Sequence, residues 1–448
     1  MNETLLDETW RSELAEFIAI PSVSADAAHR ADVKRAGEWV CDFIRRIGGT
    51  AELTPFGEKE LALGEIRASS DAENAPTVLC YGHFDVQPPA PLELWHTDPF
   101  ELTIDGDWAY ARGVTDDKGQ LYILLKAAQT LVEADALPVN LRFACDGEEE
   151  IGGHTIVDYL GVDDRGANAG IIFDGGMLRI DLPAFDLATR GLIAFDVDVR
   201  TGERDLHSGM YGGAALNAVH ALMRCFDAVL AGPNGLLPEP LRQGISAPTD
   251  DELSSWRALP AGSEELESQG ARPLDPDAAE QFYIRTFAEP SADVTGILGG
   301  KPGLRNTTLS VHAAGQVTIR LAPGQDVQTI GSTAERLMRE AAPDGADVDI
   351  AWEGSAPGLV RPDAPAVQLG LEAFEQVLGT RPLLVRAGGT LPIMPALEAK
   401  GIPTVLTGFG LPESNVHSPN ERFLVRYFAQ GVDTAAALYT KLGQLPPS

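Results

Sequence analysis

Cysteine is scarce in this chain. There are four, Cys41, Cys80, Cys145 and Cys225, far apart and in apolar surroundings. No CxxC pair occurs, so neither a zinc knuckle nor a dithiol redox motif has support, and isolated thiols read as buried and reduced, the state expected of a cytoplasmic protein. Long hydrophobic runs are missing as well. No apolar stretch approaches the ~20 residues of a membrane span, and the acidic start MNETLLDETW lacks the basic-then-apolar layout of a signal peptide. Basic residues are in short supply, with 34 Lys and Arg against 66 Asp and Glu, for a formal net charge of −32. Nucleic acid and anionic membranes both need a basic surface, so neither is an expected partner. The absence of HExxH, a Walker loop and GxSxG removes the chemistries those motifs carry.

What the chain does have is length and order. At 448 residues it exceeds one ordinary core, so two domains are expected. Residues 8–20 and 31–47 have amphipathic helical spacing. TVLCYG (77–82), NLRFACDG (140–147), AGIIFDGG (169–176), PLLVR (382–386) and IPTVLTGFG (402–410) read as strands, and helical stretches at 121–134, 154–160, 364–378 and 426–442 alternate with them. That alternation implies an α/β domain, a mostly parallel sheet with helices on both faces. The middle of the chain differs. GLIAFDVDVR (191–200) alternates apolar and polar residues like a half-exposed antiparallel strand. A helix at 214–230, strands at 309–313 and 315–323, a helix at 327–341 and a strand at 346–353 complete a split-βαβ, ferredoxin-like α+β order. Residues 231–306, rich in Pro, Gly, Ser and acids, read as an irregular insertion. The expected organisation is a first domain in two parts, 1–187 and 357–448, interrupted by a second over 188–356.

Acids and histidines gather where the first domain's strands end. His83 and Asp85 follow 77–82, the run Glu148, Glu149, Glu150 follows 140–145, Asp174 ends 170–173, and His417 lies in the loop after 402–409. The carboxyl ends of parallel strands form one edge, where ligands bind. In extended chain Asp85 lies on the same side as His83, so it can hold one imidazole nitrogen and leave the other for a metal; a satisfied surface histidine is the alternative. Asp116 and Asp117 stand before a helix, where they either favour its dipole or let one carboxylate bridge two metals. Convergence from four distant segments is harder to explain by solvation than any one residue.

YGHFDVQPP, GVTDDKGQ, the EE pair before Ile151-Gly152, IIFDGG and NVHSPNE occur in that order. This set resembles the motifs of the M20 family of metallopeptidases, and is most similar to those of the carnosinase-like dipeptidases. IPSVSAD, DLHSGMYGG (205–213), TIRLAP and RAGGTLP extend the resemblance over nearly the whole chain.

The resemblance implies a catalytic first domain, an inserted lid and dimerisation domain, and two divalent ions per subunit, Zn2+ or Mn2+. Asp116 would bridge the ions, His83 and Asp174 would complete one, and Glu150 and His417 the other. Asp85 would support His83, and Glu149 would be the base that activates the bridging water. The peptide Asp116–Asp117 would be cis. His207 would stabilise the oxyanion in the partner subunit's site of a homodimer. Arg320 would hold the substrate carboxylate, with Thr307, Gly388, Gly389 and Thr390 near the substrate. Glu148 carries over no role and reads as solvated. The implied reaction is hydrolysis of a dipeptide or short peptide; an N-acyl amino-acid amidohydrolase on the same scaffold is the alternative. His29, His96, His154, His220 and His312 read as structural or surface residues.

Overall fold

The computed structural model describes residues 7–300, 303 and 305–447. Contacts divide the chain into two units. One comprises Met1–Leu187, Val360–Val385 and Ala396–Ser448; the other comprises Ala188–Leu359 and Arg386–Pro395. Among the described residues no helix is long and apolar enough to cross a membrane.

The first unit is built on a six-stranded sheet in the order Thr50–Phe56, Lys59–Ile66, Asn140–Asp146, Thr77–His83, Ala169–Phe173, Thr404–Thr407. Thr77–His83 runs parallel to both of its neighbours, and Ala169–Phe173 runs parallel to Thr404–Thr407. The central strands are buried at nearly every position. A strand buried on successive residues is covered on both faces, which is why these segments read as unbroken apolar runs. The cover comes from helices that include Arg30–Arg46, Lys118–Glu133, Thr155–Val162, Pro365–Leu378 and Arg426–Leu442.

The edge of this sheet is a hairpin that the sequence pattern does not reveal. Thr50–Phe56 and Lys59–Ile66 pair antiparallel around Gly57, whose φ of 61° closes the turn. Both strands carry charged residues and the outer one contains Pro55, a composition that an edge tolerates and a centre does not. PLLVR falls in the strand Leu383–Ala387, which belongs to a separate small sheet.

The second unit has a four-stranded antiparallel sheet in the order Ser291–Gly299, His312–Leu321, Gly191–Arg200, Asp347–Ser355. Ile193, Phe195, Val197 and Val199 alternate into a core shared with the helices Ala218–Asp227 and Val327–Ala341. Two expectations need correction. The break placed between strands 309–313 and 315–323 is absent: His312–Leu321 runs through Gly315, which is no turn, since a Cβ there would meet the Phe226 ring at 2.9 Å and the Gly296 carbonyl at 2.8 Å, and Leu309 belongs to a separate short strand, Thr308–Leu309. The segment 231–306 is not irregular throughout. It supplies the edge strand Ser291–Gly299 and the short helices Asp250–Trp256 and Gly262–Ser268, the first closed by a Thr249–Glu252 capping box.

Candidate active site

His83, the last residue of its strand, is fully buried. Its Nδ1 lies 3.2 Å from the Asp85 carbonyl and 3.3 Å from Asp85 Oδ1, both of which only accept. Nδ1 therefore carries a proton, and Nε2 faces Asp116 Oδ1 at 2.9 Å and Asp174 Oδ1 at 3.9 Å. The other Asp85 oxygen accepts the Glu150 N–H at 3.2 Å, so one buried carboxylate serves two strand ends.

Asp116 precedes a cis peptide bond to Asp117. Its two oxygens point to different partners: Oδ1 to His83, Oδ2 to His417 Nε2 at 2.9 Å. His417 also meets Glu150 Oε2 at 2.9 Å. It stands at φ 61°, between Asn415 at 55° and Asn420 at 62°. A histidine held in the left-handed region is uncommon and tends to mark a functional turn. Asp117 does not cap the helix that it precedes. Its Oδ2 accepts the His83 N–H at 3.1 Å instead, and Gly82 lacks the Cβ that would come within 2.8 Å of that oxygen.

The three glutamates have three environments. Glu150 is held by Gln87, whose N–H reaches Oε1 at 3.1 Å and whose side-chain amide reaches Oε2 and the Glu150 carbonyl, each at 2.9 Å. Glu149 opens the short turn Glu149–Ile151, closed by Gly152 at φ 66°. Burial pushes its carboxyl up to about 8; His83 opposes this, and Asp174, Asp116 and Glu150 add to it. Glu148 is not solvated as expected. It is buried, with Oε1 accepting the Thr155 N–H at 2.8 Å and Oε2 lying 3.5 Å from Lys59 Nζ. The Thr155–Val162 helix needs an acceptor at its start, and Glu148 supplies it.

Two clusters share this edge: His83, Asp116, Asp174 and Asp116, Glu150, His417. In each, the ligand atoms lie within 4.8 Å of one another. Each offers one imidazole nitrogen and two carboxylate oxygens, with Asp116 common to both, a donor set that fits a pair of divalent cations. The electrostatics point the same way. Hydrogen bonds to the Asp116 and Glu150 carboxylates raise His417 to about 10 against the effect of burial. Burial pushes Asp116 up, but the bonds from His417 and His83 outweigh it and hold the carboxyl low. Carboxylates this crowded favour positive charge among them, which is why both imidazoles are shifted upward.

Residues that sequence reasoning passed over complete the frame. Glu421 is fully buried; Oε2 accepts from Arg112 Nη1 at 2.7 Å and Gly113 N–H at 3.0 Å, and Oε1 from the N–H groups of Thr115 at 2.9 Å and Asp116 at 3.1 Å. It sets the loop that presents Asp116. Gln87 and Glu421 lie inside the quoted motifs and Arg112 immediately before GVTDDKGQ, but only contacts reveal what they do.

The remaining candidates belong to the second unit. His207 is exposed and its Nδ1 accepts the Gly209 N–H at 3.1 Å, so in the neutral ring the proton sits on Nε2, a donor. His207 pairs with Thr308, and the Thr307 carbonyl accepts the Ser208 N–H at 2.7 Å. Arg320 Nη1 donates to Thr390 Oγ1 at 3.0 Å, and the Gly389 carbonyl accepts the Arg190 N–H at 2.9 Å. A Cβ at Gly388 or Gly389 would meet nothing within 4 Å, so neither glycine is required by local crowding.

The sequence profile described as Peptidase family M20/M25/M40 matches residues 79–441. The chain is 28% identical to the Cys-Gly metallodipeptidase dug1 of Schizosaccharomyces pombe, over 97% of this chain and 96% of that protein. It is 27% identical to the Beta-Ala-His dipeptidase of Homo sapiens, over 96% and 90% respectively. Among solved structures, an M20 family metallo-carboxypeptidase from Sulfolobus solfataricus shares the fold, with a TM-score of 0.83 at 24% identity over 98% of this chain and 100% of that one.

Proposed function

This chain belongs to peptidase family M20/M25/M40, and we propose that it is a dinuclear metallopeptidase that cleaves the amide bond of dipeptides or short peptides. The observation that carries this reading is Asp116, which turns one oxygen to each of two histidine–carboxylate clusters while Glu149 stands beside a ligand without belonging to either cluster. Two similar proteins are named for dipeptide hydrolysis, which supports the substrate class.

The clusters would hold two divalent ions, Zn2+ or Mn2+, which when bound supply Lewis acidity and a water of lowered pKa. Every other part of the reaction falls to the chain. Asp85 keeps the His83 proton on Nδ1, so Nε2 stays a ligand. Glu149, in a sheltered position, takes a proton from the attacking water and passes it to the leaving amine. His207 donates from Nε2 to the oxyanion, in the partner's site of a homodimer formed through the inserted unit. Arg320 holds the substrate carboxylate with its guanidinium fork, and the backbone at Thr307, Gly388, Gly389 and Thr390 borders the substrate. The four buried free cysteines are in keeping with a reducing, cytoplasmic setting.

The test is hydrolysis of a panel of dipeptides, N-acetyl and N-succinyl amino acids by protein reconstituted separately with Zn2+ and Mn2+. Faster dipeptide turnover upholds the reading; preference for acyl amino acids assigns an amidohydrolase instead. Glu149→Gln is expected to lower kcat by a factor of at least ~100 with two ions still bound. Unchanged hydrolysis in that variant would remove Glu149 from the mechanism.

A further inference from the structure

A cavity of about 860 Å³ opens between the start of the helix Arg30–Arg46 and the edge hairpin Thr50–Ile66, with the end of the strand Asn140–Asp146 in its wall. No residue of the two metal clusters lines it. Val33, Leu53 and Phe84 make part of the wall apolar. The space is that of a small-molecule site, far more than the ~30 Å³ share of one water.

Two polar atoms in this wall lack partners. Asp146 is 1% exposed; its Oδ1 accepts the Tyr81 hydroxyl at 3.3 Å, and its buried Oδ2 has no hydrogen-bond partner among the described residues. The buried Ser24 Oγ has none either. The two segments are joined through Phe84, whose carbonyl accepts Ser22 Oγ at 2.6 Å and whose N–H donates to the Asp146 carbonyl at 2.9 Å. A buried carboxylate oxygen left unpaired is costly, so it calls for a donor.

The charges around the cavity say which donor. Its lining has five acids, Asp26, Glu58, Glu60, Asp146 and Glu148, against three bases, Arg30, Lys34 and Lys59. Two of the bases are engaged: Lys34 donates to Glu60 at 2.8 Å, and Lys59 lies 3.5 Å from Glu148. Asp26 accepts the Ala28 N–H at 2.9 Å, while Arg30 and Glu58 are exposed. No lysine or arginine among the described residues satisfies Asp146 Oδ2. Burial, and then the Asp85 carboxylate, hold the Asp146 carboxyl well above its ordinary range, as befits an acid with no cation bonded to it.

We propose that this cavity is a second ligand site, separate from the metal clusters, for a short apolar primary amine. The ammonium donates to Asp146 Oδ2 and Ser24 Oγ, and the hydrocarbon lies against Val33, Leu53 and Phe84. An ammonium has three donors and no acceptor, which suits two oxygens that can both accept. An anion would add one more negative charge to an acidic wall, and an alcohol would bring a donor but no charge.

The experiment is calorimetric titration of the metal-loaded protein near neutral pH with three probes of one shape: 3-methylbutylamine, 3-methylbutan-1-ol and 3-methylbutanoate. The amine is expected to bind with Kd on the order of 1 mM, and the alcohol and the acid at least about tenfold more weakly. Asp146→Asn, which keeps the shape and removes the charge, should weaken the amine about tenfold or more. Ala31→Trp, at an exposed lining position, should block the cavity and abolish binding with Tm and bound metal unchanged. Alcohol or acid bound as tightly as the amine overturns the proposal, because the charge would then select nothing. Amine binding that survives either variant overturns it too, by placing the amine elsewhere. No binding at concentrations well above about 1 mM assigns the cavity to water and overturns it outright.

Discussion

Gln87 holds Glu150 by both ends, with its main-chain N–H on one carboxylate oxygen and its side-chain amide on the other. Partners behind a ligand set its orientation, and losing one typically costs ~10–100-fold in metal affinity. Gln87→Met is therefore expected to weaken the ion at Glu150 and His417 by that factor and to spare the ion at His83 and Asp174. Calorimetric titration of Mn2+ into chelator-treated protein reads the two sites; equal weakening at both would make Gln87 a residue of the fold rather than of one ligand. His207 gives a contrasting expectation, because it stands outside both clusters. His207→Ala should lower kcat roughly 100-fold with the bound metal unchanged, measured by metal analysis of the same samples; lost metal would assign it a structural role. At this scale the sequence was generous with candidate ligands and poor with the residues that hold them. A histidine or aspartate at a strand end is legible because chemistry restricts the residue types that bind metals. Glu421 and Gln87 are ordinary polar residues until the chain folds and their partners come within reach, and Glu148 looked solvated because its helix-capping partner is visible only in three dimensions.

Elements are held by clamps as well as by cores, and Asp163 is one. It follows the Thr155–Val162 helix and receives Arg142 from the strand Asn140–Asp146 and Arg165 Nε at 2.8 Å, while Lys400 Nζ reaches its carbonyl. Burial pushes the carboxyl up, but bonds from Arg165 and Arg142 outweigh it and hold the pKa below its ordinary 3.8. A carboxyl with a depressed folded pKa contributes stability that is present above the unfolded value and lost as pH falls through the folded one. Asp163→Asn leaves the Arg142 charge buried without its partner, so the variant is expected to be about 3 kcal/mol less stable near neutral pH. The gap should begin to narrow below about pH 4, where the unfolded parent's carboxyl takes up its proton, and go on narrowing as pH falls through the lower folded value. Urea unfolding across that range measures both, and a gap independent of pH would refute the electrostatic account. The same scale explains which elements were legible. Doubly covered strands and amphipathic helices declare themselves by pattern, since burial dictates composition there. The hairpin Thr50–Ile66 is half exposed at an edge, where burial dictates little. The strand His312–Leu321 hid behind Gly315, chosen for its clearance of Phe226 rather than for a turn.

For the molecule as a whole, charge is the property that composition states most plainly and the fold distributes. A net charge of −32 opposes compaction by self-repulsion. Part of it lies on the sheet face of the second unit that points away from the helices, where Asp198 and Asp349 stand directly opposite in the register. Like charges facing each other across strands are destabilising. His312 Nε2 at 2.6 Å and Arg200 Nε at 3.4 Å relieve Asp198 but leave Asp349 facing it. Screening acts on exposed pairs of this kind, as the Debye length shrinks from about 30 Å at 0.01 M salt to about 3 Å at 1 M. The Tm of chelator-treated protein is therefore expected to rise with NaCl over that range. Salt also acts through water structure and apolar burial, so the slope alone does not identify its cause. Asp349→Asn separates the two, because it removes one facing charge and keeps size and shape. At 0.01 M NaCl it should stabilise the protein by up to ~0.5 kcal/mol, and at 1 M the difference should vanish. A stabilisation that persists at high salt, or a loss of stability at low salt, would show that Asp349 acts through something other than repulsion across the sheet.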